Sequence, residues 1–143
     1  MSLTITRPPY TLSTDRARID VAFVHAYLSH ESYWAHGRAL ETVQRSIDHS
    51  LCVGIYLDTA QVGFARLVTD YATFAWLCDV FIAADHRGRG LGKWLIESIV
   101  GLEELRGVKR LLLATADAHG LYRAYGGFEP LPNPEKWMTR RLS

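Results

Sequence analysis

The stretch "DHRGRGLGKWL", residues 85–95, sets Gly88, Gly90 and Gly92 at alternate positions among Arg87, Arg89 and Lys93, then runs into apolar residues. Glycine lets backbone N–H groups come close to a ligand, and the first turn of a helix leaves its N–H groups unpaired. Cations added to such a turn make an anion site, most naturally for phosphate. Two well-known phosphate motifs do not fit. A P-loop needs glycine where Arg87 stands and a hydroxyl where Trp94 stands. A dinucleotide fingerprint needs G-x-G-x-x-G, and the spacing here is G-x-G-x-G.

A second set of residues could move protons. Asp79 is the only carboxylate in the apolar run "FAWLCDVFIA" (74–83). A carboxylate buried without a partner is expensive, so Asp79 is either a paired anchor or a functional acid/base. Strand alternation turns it away from Cys78 unless a bulge intervenes. Further on, "TADAHGLYRAYGGF" brings Asp117, His119 and Tyr122 close together in sequence. His119 either relays protons near neutral pH or simply starts a helix. Tyr122 either gives up a phenolic proton or packs beneath that helix. In "SHESYWAHG" (29–37), Tyr33, Trp34 and His36 are candidate ligand contacts on a loop. His25, His30, His36 and His49 lack spacing of the H-E-x-x-H kind, so no metal is expected.

Around these groups the sequence predicts a mixed α/β arrangement in the order β-α-α-β-β-β-α-β-α-β. "TITRPPYTLSTD" reads as extended, broken by Pro8 and Pro9, and Ser13, Thr14 or Asp15 then caps a helix with Ile19, Ala22, Phe23, Ala26 and Tyr27 on one face. A second helix turns Leu40, Val43 and Ile47 inward. Runs 51–57 and 62–69 form a hairpin across residues 58–61. Run 74–83 is a central strand, residues 91–104 a strong amphipathic helix and 108–116 another central strand. Gly126 and Gly127 stop a short helix, and "KWMTRRL" makes a last strand whose edge suits a homodimer.

The 143 residues read as a single domain, 1–143, with a proper hydrophobic core. Hydrophobic residues make up 48% and charged residues 22%, which excludes a disordered chain. A net charge of +1 gives no field to recruit nucleic acid or an anionic membrane, so the cations near position 90 act locally. No window approaches the roughly 20 apolar residues of a membrane span. Cys52 and Cys78 form no C-x-x-C and read as buried free thiols in a reducing compartment. With no basic start and apolar core in "MSLTITRPPYTLSTD", a cytoplasmic protein is expected.

The run Arg87-Gly88-Arg89-Gly90-Leu91-Gly92, read as [RQ]-x-x-G-x-[GA], resembles the acetyl-CoA-binding motif of the GNAT superfamily of N-acetyltransferases. "CDVFIAADHRGRG" is similar to the family's strand and pyrophosphate loop, and "LYRAYGGF" to its "LYxxxGF", with one extra glycine. The resemblance implies a GNAT-like acyl-CoA N-acyltransferase fold and a direct transfer of acetyl from acetyl-CoA to an amine in a ternary complex. It implies that N–H groups from Arg89 to Lys93, through Leu91, cradle the pyrophosphate, and that Phe81 and Ile82 lie along pantetheine and the acetyl carbonyl. Tyr122 matches the tyrosine that serves as general acid. The glutamates that relatives carry on the strand have no counterpart, since Trp76 and Cys78 stand there. That departure keeps a second reading open: a non-catalytic acyl-CoA-binding or sensing domain. The acceptor implied is a small-molecule or peptide amine.

Overall fold

The computed structural model describes residues 2–143. Its elements are β1 (Thr4–Arg7), β2 (Tyr10–Ser13), α1 (Val21–His30), α2 (Leu40–Asp48), β3 (Leu51–Leu57), β4 (Ala60–Thr69), β5 (Phe74–Ile82), α3 (Leu91–Val100), β6 (Arg110–Leu112) and α4 (His119–Gly126). The strands form one sheet in the order β1-β2-β3-β4-β5-β6. All neighbours are antiparallel except β5 and β6, which are parallel. The fold class is therefore the mixed α/β arrangement expected.

Hydrophobic patterning decides which face each element covers. β3, "LCVGIYL", is buried along nearly its whole length because helices cover both sides of the sheet. On one side Leu95, Ile96 and Ile99 of α3 pack with Val53, Ala65 and Leu77. On the other, Val24 and Leu28 of α1 and Val43 and Ile47 of α2 pack with Cys52, Phe64 and Phe81. Each core removes apolar surface from water, the main driving force for the fold.

Several expectations are corrected in detail. The N-terminal stretch is a hairpin, not one strand, and its turn holds Pro8 and Pro9, where no ladder N–H is lost. Asp15 caps only a 3-10 turn, Arg16–Arg18; the cap of α1 is Asp20, whose carboxylate accepts from the Phe23 N–H at 3.1 Å. Starting five residues later rotates the face: Val24, Tyr27 and Leu28 point inward, and Ala22 and Ala26 meet solvent. Leu40, in the first turn of α2, is exposed. Helix α3 stops at Gly101, before Leu102. The expected strand 108–116 keeps only Arg110–Leu112. The expected last strand is absent: residues 137–143 form no helix or strand.

Candidate active site

The site is built where β5 changes character. Phe64 of β4 faces Phe81, and Arg66 faces Cys78, so Ala65 alone opposes both Asp79 and Val80. This is a bulge, with Asp79 in the left-handed region at φ 53°. The extra residue resets the alternation. Ala75 and Leu77 face the α3 side, whereas Phe81 faces the α1–α2 side. Asp79 consequently points to the same side as Cys78.

There the Asp79 carboxylate is only 4% exposed, and both oxygens are engaged. Oδ2 takes the Arg66 Nε–H at 2.8 Å and the Arg38 Nη1–H at 3.0 Å; Oδ1 takes the Trp34 indole N–H at 2.9 Å. Arg66 also donates to the Ser50 hydroxyl at 3.1 Å. Of the two sequence readings for Asp79, this geometry is that of an anchor. It ties β4, β5 and the α1–α2 loop together, and it holds Trp34 in place.

Beyond the bulge β5 loses its parallel partner. The ladder joins Phe74–Trp76 of β5 to Arg110–Leu112 and then stops, leaving the rest of β5 free on that side. The two chains part there, and the α1–α2 loop reaches across: the Tyr33 hydroxyl accepts the Ala116 N–H at 3.0 Å. Tyr33 and Trp34 sit edge to face at 5.1 Å. His36, on the same loop, is exposed.

Tyr122 lies at the N-terminal half of α4, 8% exposed, with Phe128 edge-on at 5.7 Å. Burial pushes its phenol up to about 12, with smaller contributions from Tyr33 and Asp117. It therefore holds its proton throughout the neutral range. Tyr122 and His119 line one cavity with Trp76 and Thr115. The two glycines after it have separate reasons. Gly127 is left-handed and closes the helix, donating to the Tyr122 carbonyl. A Cβ at Gly126 would come within 2.7 Å of the Phe128 ring and 2.9 Å of Ile96 on α3, so glycine there lets both pack against the end of α4.

The glycine loop enters α3. Gly88 and Gly90 both take φ 78°, where a side chain is strained, and Gly90 is the N-cap. Gly92 is different. It lies in the first turn of α3 with helical φ, and nothing approaches within 4 Å of where its Cβ would be. Neither backbone nor packing requires glycine there, so the open space over a helix N-terminus fits a ligand that approaches the backbone. Arg87 donates to the Tyr27 hydroxyl at 2.6 Å and to the Ile82 carbonyl at 3.0 Å. Arg89 donates to the Tyr10 hydroxyl at 2.9 Å, and that hydroxyl lies 3.0 Å from His86 Nδ1. All these partners are neutral acceptors, so the positive charge stays available. Lys93 stands over the Tyr125 ring at 5.2 Å. Phe81 stacks on Tyr27 at 3.8 Å, and Ile82 is half-buried beside it. The residues fit a diphosphate-bearing ligand with a narrow apolar arm.

Three supporting residues were not picked out from the sequence, Tyr10, Arg38 and Arg66, and Tyr27 was read only as part of the inward face of the first helix. Only Arg66 left a signal, as the lone cation in an apolar strand across from Asp79.

The parallel pair thus parts after a bulge, and the glycine-rich loop enters the helix that follows. The family model for "Acetyltransferase (GNAT) family" matches residues 14–128, and the chain belongs to that family. A Gibberella zeae protein assigned as an acetyltransferase is 31% identical over 140 residues, covering 82% of this chain and 77% of its own. A crystal structure of a Xanthomonas campestris pv. campestris protein, assigned to the same family, is 46% identical with a TM-score of 0.90, covering 96% of both chains. An acetyltransferase assignment from Clostridium acetobutylicum, solved with acetyl-CoA, shares the fold at 14% identity and a TM-score of 0.67, over 99% of this chain and 97% of that one. Among the described residues, no helix is long and apolar enough to cross a membrane.

Proposed function

We propose that the protein transfers acetyl from acetyl-CoA to the amine of a small molecule or peptide, by direct attack. The observation that carries this reading is the empty approach to Gly92, flanked by cations whose charge is not cancelled. N–H groups of residues 89–93 and the Arg87 and Arg89 guanidiniums bind the diphosphate. The free edge of β5 around Phe81 and Ile82 offers N–H and C=O groups to the pantetheine arm and to the acetyl oxygen. Tyr33, Trp34 and His36 border the acceptor. A C–N bond forms, the C–S bond breaks, the amine proton leaves to solvent, and Tyr122 protonates the departing thiolate. An acyl-cysteine route is disfavoured, because burial pushes the Cys52 thiol up to about 12 and Cys78 up to about 11, leaving little thiolate. With Asp79 held by two arginines, Asp117 and His119 are the remaining proton acceptors near Tyr122. Both free thiols accord with a cytoplasmic location.

A screen of amine classes with acetyl-CoA, following released thiol, tests the proposal. Turnover with one class supports it; tight acetyl-CoA binding without turnover on any class supports the sensing reading instead. With an acceptor in hand, Tyr122→Phe should lower turnover by about 10²–10⁴-fold, the range of a general acid, at unchanged acetyl-CoA affinity. Because the Tyr122 pKa is raised, the wild-type rate should hold past pH 10 and fall only toward pH 12. Stability follows the same sign. The contribution of the neutral phenol is complete below pH 10 and is lost as pH rises through the folded value.

A further inference from the structure

Beside the bulge one carboxylate answers two guanidiniums. Asp79 accepts from Arg38 at 3.0 Å and from Arg66 at 2.8 Å, which leaves the cluster with one positive charge in excess. That excess is accessible. Arg38 uses only Nη1 on Asp79, and Arg66 uses Nε on Asp79 and Nη1 on Ser50. Among the described residues the Nε and Nη2 of Arg38 and the Nη2 of Arg66 have no partner, and none of them is a buried orphan, so they meet solvent. A guanidinium held at one corner presents the rest of its fork already oriented, and that fork matches a carboxylate.

The position of this charge gives it a use. Arg66 pairs with Cys78 across the strands, and Val68 with Trp76, so these four side chains share one face of the sheet. The face is partly open there: Val68 is exposed, and Trp76 and Cys78 are half-buried. Burial raises the Cys78 thiol, and both guanidiniums oppose that rise, which puts their charge beside Cys78. Trp76, two residues and about 7 Å along β5, lines one cavity with Tyr122. Trp34, tied to Asp79 through its indole N–H, is still 39% exposed. Asp79 is the one carboxylate on this face of β4 and β5, and both its oxygens are engaged.

We propose that the acceptor is an amine that also carries a carboxylate, in the manner of an amino acid. Arg38, supported by Arg66, binds that carboxylate, and Trp34 and Trp76 border the apolar body. The inference rests on the acetyl-transfer reading above and specifies its substrate. One carboxylate balances the cluster, whereas a polycation would be repelled and a neutral amine would leave the charge unanswered.

Matched amines test it. Leucine, leucinamide and 3-methylbutylamine present one body with a carboxylate, a carboxamide or nothing at the same carbon; phenylalanine, phenylalaninamide and phenethylamine repeat the set with a ring. The carboxamides hold more free amine at neutral pH, which biases the comparison against the proposal. Even so, kcat/KM should be about 10- to 100-fold higher for the acid, the worth of charged hydrogen bonds, and the gain should lie mainly in KM. Arg38→Gln leaves Asp79 with Arg66 and Trp34. It should lower kcat/KM for the acid about tenfold and leave the other two amines within about twofold, where a merely structural role would lower all three alike. Arg38→Lys keeps the charge without the fork and should restore part of the preference. Carboxamides or plain amines used as well as the acids overturn the proposal while acetyl transfer stands, and so does a preference that survives Arg38→Gln. The comparison on the parent protein decides the matter if Arg38→Gln folds poorly. Binding of acetyl-CoA without turnover of any amine overturns both readings.

Discussion

Two pairs of arginines near β5 are held by different kinds of partner. Arg38 and Arg66 converge on one buried carboxylate, with side chains 24% and 14% exposed. Arg87 and Arg89 lie exposed on the glycine loop and donate to phenol hydroxyls and a carbonyl. The one carboxylate offsets about one of the two guanidinium charges and fixes both groups in place, whereas a neutral acceptor only orients its donor. The first pair thus serves architecture first, fixing the bulge and the loop that carries Trp34. The second is pre-positioned and still attractive to an anion. Residue type does not separate the two roles; the charge of the partner does.

The sharpest way to break the comparison is to add charge at the loop. Gly92→Glu should weaken acetyl-CoA binding by about 100-fold or more, roughly 3 kcal/mol, by placing a carboxylate where the diphosphate approaches. A carboxylate in the first turn of α3 suits the helix dipole, so the melting temperature should not fall. Calorimetry and a thermal melt decide it together. Unchanged affinity in the folded variant would remove the loop from the binding site. Gly90→Glu is a poorer probe, because at φ 78° any side chain adds about 1–2 kcal/mol of strain.

Asp79→Asn should produce the reverse pattern. It leaves Arg66 and Arg38 without a countercharge, and removing one partner of a buried pair costs about 3–5 kcal/mol. We expect about 3 kcal/mol by chemical denaturation, at the low end because both arginines keep some solvent contact. Asparagine tolerates the left-handed backbone, so the loss reads the charge and not the bulge. A variant as stable as the parent would show that the cluster is not an anchor.

Arg89→Gln gives the smallest effect and sharpens the comparison most finely. Acetyl-CoA affinity should drop about tenfold, or 1.4 kcal/mol, and less at high salt, where the exposed charge is screened. Stability should stay within about 0.5 kcal/mol, since only one part-buried hydrogen bond is lost and the Tyr10 hydroxyl keeps His86 Nδ1 as a partner. A large loss of stability here would merge the two pairs into one structural class.

The difference in legibility between these regions has a physical cause. The glycine loop was readable because its chemistry is local. Backbone N–H groups, left-handed turns and flanking cations all fall within residues 85–95, and helix capping and φ preferences act over a few residues. The helices and the central strand β5 were readable through hydrophobic period, whereas the run 108–116, read as central, is a three-residue strand at the sheet edge; "LYRAYGGF" was readable through its closing glycines. The Asp79 cluster was not, because its partners lie 13, 41 and 45 residues away and meet only after the sheet forms and α1 and α2 dock on it. Sequence alone left Asp79 between anchor and acid/base, and only the bulge turned it toward the arginines. The end of the chain marks the same boundary. "KWMTRRL" has the composition of a strand, but a strand exists only when an edge accepts its hydrogen bonds. Composition and spacing by themselves determined the glycine-rich turn into α3, the positions of most helices and of β3 to β5, and the mixed α/β class. Tertiary structure decided which charges are cancelled, where β5 and β6 part, and which edge stays open, because each of these depends on contacts between residues far apart in the chain.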